Sequence, residues 1–140
     1  MPEIKQGTVT IIIPDALALP PEAGTLNVDQ VRAIPKARRG VGAACEATAD
    51  ALSKLDGRFA APAGVTPDSL RAAGARAEGI DQVISDLEVL LQTLKQANLL
   101  FDADAASQLR RVNDQVNAQA KRDAGLETAF SGLRSWIGYK

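Results

Sequence analysis

From Leu70 to Phe101 the chain repeats an apolar position at alternating steps of three and four: Leu70, Ala73, Ala77, Ile80, Ile84, Leu87, Leu91, Leu94, Asn98 and Phe101. That spacing lines one face of a helix, and Asn98 is the one polar residue on it. Val83, Leu90, Ala97 and Leu100 widen the stripe beyond what a single neighbour covers. The pattern predicts a helix over residues 67–100 as the central rod of a bundle. Its start is marked by Thr66 as cap, Pro67 at the first position and Asp68 in the first turn.

Two further helical seams flank it. Val31, Ile34, Arg38, Val41, Cys45, Thr48, Leu52, Leu55 and Phe59 predict a helix over residues 28–57, capped by Asn27 and stopped by Gly57. Pro35 interrupts it, so either the main helix starts there or a short turn precedes a kink. Ala105, Leu109, Val112, Val116, Gln119, Asp123, Leu126, Phe130, Leu133 and Ile137 predict a third helix over residues 103–137. Asp102 to Asp104 reads as a tight corner that turns this helix antiparallel to the second. Trp136 and Tyr139 are placed to pack over the end of the assembly.

The expected fold class is therefore all-α: an up-down-up three-helix bundle over residues 27–140, preceded by an extended N-terminal arm over residues 1–26. Within the arm, Thr8-Val9-Thr10-Ile11-Ile12-Ile13 is β-branched throughout and ends at Pro14, which predicts one short strand. A lone strand leaves backbone groups unpaired and finds no partner within this chain, so it must pair with a second copy, pair with another protein, or lie as an extended arm over the helices.

Composition narrows the function classes. The chain of 140 residues carries a net charge of −1, with 16 Lys and Arg against 17 Asp and Glu. The phosphate-neutralising excess of a nucleic-acid-binding domain is missing. There is no histidine, which removes the commonest acid–base group and transition-metal ligand. The single cysteine, Cys45, sits on a seam without a histidine base and reads as a small core residue. The apolar run Val9–Ile13 is too short to cross a membrane. These features point to a cytoplasmic protein with no cofactor and no metal.

The polar seam positions Arg38, Thr48, Asn98, Gln119 and Asp123 are the candidate ligand cluster. In the three-helix register Asp123 falls level with Cys45 and Thr48, close to Gln119. The plainer reading is a wet seam in which polar residues fix register. Arg32, Lys36, Arg39, Arg110 and Arg111 are expected at one end of the bundle, offset by Asp29, Asp102 and Asp104.

The chain lacks catalytic equipment. The expected function is that of a non-enzymatic interaction or assembly module working through protein–protein contacts, with a protein partner or a second copy of itself. Homo-oligomerisation is expected, with Val9, Ile11, Ile13, Val83, Leu90 and Ala97 as interface positions. The alternative is a small-molecule or lipid-binding bundle, with a cavity near the small residues Gly40 to Ala47 and Gly74 to Gly79.

Overall fold

The computed structural model describes residues 2–138. The arm folds on itself before any helix begins. Strands β1 (Glu3–Gln6) and β2 (Val9–Ile12) pair antiparallel, with Ile4 opposite Ile11 and Gln6 opposite Val9. The turn between them is Gly7-Thr8, and Gly7 takes φ 59°, the left-handed value that two-residue hairpin turns require. The strand expected to lack a partner within the chain therefore has one. Ile4, Ile11 and Ile13 share one face of the hairpin, on which Ile4 is exposed, Ile11 half-buried and Ile13 1% exposed. Its N–H donates to the Pro2 carbonyl at 2.9 Å, extending the ladder past the strand end.

A single 3₁₀ turn at Asp15–Leu17 follows, and then α1 (Val28–Ala33). Asn27 caps α1 through a reciprocal pair: its side chain accepts from the Gln30 N–H at 2.8 Å, and Gln30 Oε1 accepts from the Asn27 N–H at 2.9 Å. The helix expected over residues 28–57 is two helices. Ile34, before Pro35, is extended (φ −71°, ψ 127°), because the proline ring excludes helical geometry at the residue preceding it. The chain re-enters a helix only at α2 (Val41–Lys54), after Gly40 at φ 86°.

Helix α3 runs from Pro67 to Ala120, 54 residues. Thr66 and Ser69 exchange hydrogen bonds at its start: Thr66 Oγ1 accepts from the Ser69 N–H, and Ser69 Oγ accepts from the Thr66 N–H. No corner forms at Asp102–Asp104, so the up-down-up three-helix order does not describe this chain. What holds is a mostly helical protein, 66% helix, with one very long helix and a two-stranded sheet. The corner fails because the two aspartates are used along the helix rather than as caps. Asp102 Oδ2 accepts from Asn98 Nδ2 at 3.3 Å, and Asp104 Oδ2 accepts from Gln108 Nε2 at 2.8 Å. Neither glycine nor proline occurs between Gly79 and Gly125 to stop it. The turn comes instead at residues 121–124, followed by α4 (Gly125–Ala129) and α5 (Ser131–Gly138).

The chain divides into two compact units, Met1–Asp86 and Leu87–Lys140. In the first, α2 and the opening turns of α3 meet through small residues. A Cβ on Gly74 would stand 2.8 Å from Cys45 Cβ and 3.2 Å from the Gly42 carbonyl oxygen. Ala49 is fully buried. Arg71 on α3 donates to Asp50 at 2.8 Å and Glu46 at 3.1 Å on α2. In the second, α5 returns along the last turns of α3 and covers Asn113 and Val116, the latter 4% exposed. Arg134 on α5 donates to Asn113 Oδ1 at 2.9 Å and Asn117 Oδ1 at 2.6 Å. Trp136 is half-exposed beside Arg110, and Tyr139 lies outside the described residues.

Candidate functional sites

Two places in the structure are open to a partner or a ligand. The first is the part of α3 between Leu87 and Val112, in the second unit. Leu94 is 65% exposed, Leu100 72% and Phe101 75%. Val89, Leu90, Leu91 and Leu99 are exposed as well. A leucine-rich helix of this kind is ordinarily held by packing of its apolar face rather than by propensity alone. The α5 helix covers only the level of Asn113 and Val116, leaving Leu109 and Val112 partly open. The charged groups of the bare stretch are Glu88, Lys95, Asp102 and Asp104, followed by Arg110 and Arg111. Lys95 is the one cation between Arg76 and Arg110, and it makes no ion pair among the described residues.

The second place is a cleft of about 870 Å³ in the first unit. Leu17, Leu19, Ala77 and Ile80 form its apolar wall, and Arg38, Arg39 and Arg76 stand on its rim with Glu78 and Asp81. It opens beside the N-terminus of α2, where Gly40 offers no side-chain cap. Two of the small residues bring backbones together, at Gly42 and Gly74. Gly79 likewise accommodates Leu17, whose Cδ1 would lie 2.9 Å from an added Cβ. The cleft is lined by Val41 and Gly42 of α2 and by Arg76, Ala77 and Glu78 of α3, so a cavity stands at the small residues of the two helices, beside their close contact.

The sequence-predicted polar cluster fares unevenly. Arg38 is on the cleft rim, in the irregular segment before α2 rather than on a helical seam. Thr48 is exposed on α2. Asn98 is exposed on α3 and occupied with Asp102. Gln119 and Asp123 are neighbours at the end of α3, both exposed, and Asp123 Oδ1 accepts the Gly125 N–H at 3.0 Å to start α4. The register that set Asp123 level with Thr48 depended on the corner at Asp102–Asp104, which is not formed. The gathering of Arg32, Lys36 and Arg39 with Arg110 and Arg111 depended on the same corner.

Among the interface positions, Ile13 is buried within its own chain and offers no surface. Ile11 is half-buried and Val9 exposed. Leu90 is exposed, while Val83 and Ala97 are half-buried. The Arg134 clamp was not foreseen; its only sequence sign was Asn113 and Asn117 at a spacing of four with a basic residue downstream.

Arg71 has its guanidinium raised above its ordinary value by hydrogen bonds to Asp50 and then Glu46. It is a structural tie, charged at any physiological pH. No three His, Cys, Asp or Glu residues are grouped to hold a metal ion among the described residues, and no helix there is long and apolar enough to cross a membrane. No family model, curated protein or solved structure matches the chain.

Proposed function

We propose that this chain is a non-enzymatic assembly module, and that the bare stretch of α3 is where it meets a second copy of itself. The carrying observation is the exposure of Leu91, Leu94 and Phe101, which share one face of a helix that its own chain leaves uncovered over several turns. Contiguous exposed apolar surface of this extent marks an interaction site. The absence of histidine supports a role by contact rather than by acid–base chemistry. Two-fold self-pairing is the commonest way for one apolar face to be covered, because the same patch serves both copies.

Sedimentation equilibrium tests the proposal. The wild-type chain is expected to self-associate in the micromolar range. Leu94→Glu, which sets a charge in the middle of the stripe, is expected to weaken association at least about a hundredfold with helicity retained. A wild-type chain that stays monomeric at about 1 mM, where even a weak complex of about −4 kcal/mol would populate, ends the proposal.

A second reading, small-molecule or lipid binding, draws on the cleft between Leu17 and Ile80. An adduct retained in native mass spectra of the purified protein separates it from the first.

A further inference from the structure

We propose that the two copies pair antiparallel, with Lys95 of each helix beside Asp102 of the other. This inference rests on the self-association reading and adds orientation and level to it. The seam of the bare stretch is Leu87, Leu91, Leu94, Asn98, Phe101 and Ala105, at alternating steps of four and three. Such a seam has two flanks. One flank consists of the residues just after Leu87, Leu94 and Phe101, namely Glu88, Lys95 and Asp102. The other consists of the residues just before Leu91, Asn98 and Ala105, namely Leu90, Ala97 and Asp104. Flanking residues set partner choice and orientation in paired helices.

The two orientations place these flanks differently. In an antiparallel pair each flank runs beside its own counterpart. Lys95 then lies level with the partner's Asp102, and the two-fold axis repeats that pair on the other side of the crossing, between Asn98 and Leu99. On the other flank Ala97 falls between Ala97 and Asp104 of the second copy, and Leu90 between its Asp104 and Arg111. In a parallel pair each flank runs beside the opposite one. Lys95 would then face Leu90, Asp102 would face Ala97, and Glu88 would face Val83. Parallel pairing does give Asn98 its own copy across the seam, but Asn98 already donates to Asp102 at 3.3 Å. Charge complementarity therefore selects the antiparallel arrangement.

Three further observations agree. Lys95 and Asp102 are both exposed, and Lys95 has no ion partner among the described residues of its own chain. The hydrogen bond from Asn98 holds the Asp102 carboxylate along the helix. The area also suffices. The six exposed large residues on or beside the seam, Leu90, Leu91, Leu94, Phe101, Leu109 and Val112, offer on the order of 100 Å² each, which reaches the lower end of specific interfaces.

Charge exchange, read by sedimentation equilibrium, tests the pairing. Lys95→Glu and Asp102→Lys are each expected to raise the dimer dissociation constant about tenfold, because each sets two like-charge pairs across the interface. The doubly exchanged chain is expected to return to within about threefold of wild type, since both pairs are restored with reversed sign. Mixing a Lys95→Cys chain with an Asp102→Cys chain, both in a Cys45→Ser background, is expected to give a disulfide-linked heterodimer on oxidation. If the wild type dimerises but the single variants bind as it does, or the exchange rescues nothing, the antiparallel pairing is wrong while self-association stands. If the wild type does not associate at all, both fall.

Discussion

At the scale of the residue, the instructive positions are glycines inside helices. Each costs roughly 1 kcal/mol relative to alanine in a free helix, so each needs a reason to be there. Gly74 has one: Cys45 Cβ and the Gly42 carbonyl fill the space a methyl group would take. Gly132, on α5, has nothing within 4 Å of an added Cβ. The two alanine substitutions should therefore have opposite signs. Gly74→Ala gains helix propensity but must push apart α2 and α3 at a backbone contact, and a net loss of about 1–3 kcal/mol is expected. Gly132→Ala meets no such contact and should stabilise by about 0.5–1 kcal/mol. Urea unfolding of the two variants beside wild type, at one protein concentration, reads both signs. Stabilisation by Gly74→Ala would show that the close approach of α2 and α3 is not made in solution.

At the scale of the element, α5 is short and its attachment can be argued bond by bond. Eight residues do not hold a helix in water. What fixes α5 is burial of Val116 beneath it and the two bonds from Arg134 to Asn113 and Asn117. Asn113 is 9% exposed, so loss of its partner leaves a buried oxygen unpaired. Arg134→Ala is expected to cost about 1–3 kcal/mol and to speed amide exchange in residues 131–138 more than in the hairpin. Uniform or unchanged exchange would remove the clamp from the account. The same element shows what the sequence makes legible and what it hides. The caps at Asn27 and Thr66 could be read because one residue and its neighbour three positions on carry the whole signal. Hairpin β1–β2 was half hidden: Glu3-Ile4-Lys5-Gln6 has poor strand propensity, and pairing with β2 through Gly7-Thr8 overrides it. The sequence points to a turn near Asp102 rather than at residues 121–124, because an aspartate that bonds along a helix looks in sequence like one that caps it. The apolar excess of α3 was visible as a pattern, but its lack of cover within the chain was not, since that depends on where the next helix turns back.

At the scale of the whole molecule, the question is what keeps the middle of α3 folded. Its backbone bonds between Leu87 and Leu109 have little side-chain cover from the chain itself, as the exposure of Leu94 and Phe101 attests. A helical stretch with few buried apolar contacts opens locally at small free energy. Association changes this, because a partner that binds only the closed helix stabilises it by mass action. Amide exchange in residues 89–105 should accordingly slow as protein concentration rises. Exchange around Ala49 and Ile13, which are buried within one chain, should respond far less. The contrast separates a covered helix from one that is merely stable. Protection of residues 89–105 that is already high at about 1 µM and flat up to about 1 mM, in a chain shown to be monomeric, would mean that the helix holds without cover. Its apolar face would then need another explanation. Protection that is flat well below the dissociation constant and rises about threefold for each tenfold in concentration well above it, where the free fraction falls as the square root of concentration, is the behaviour expected when one further copy covers it.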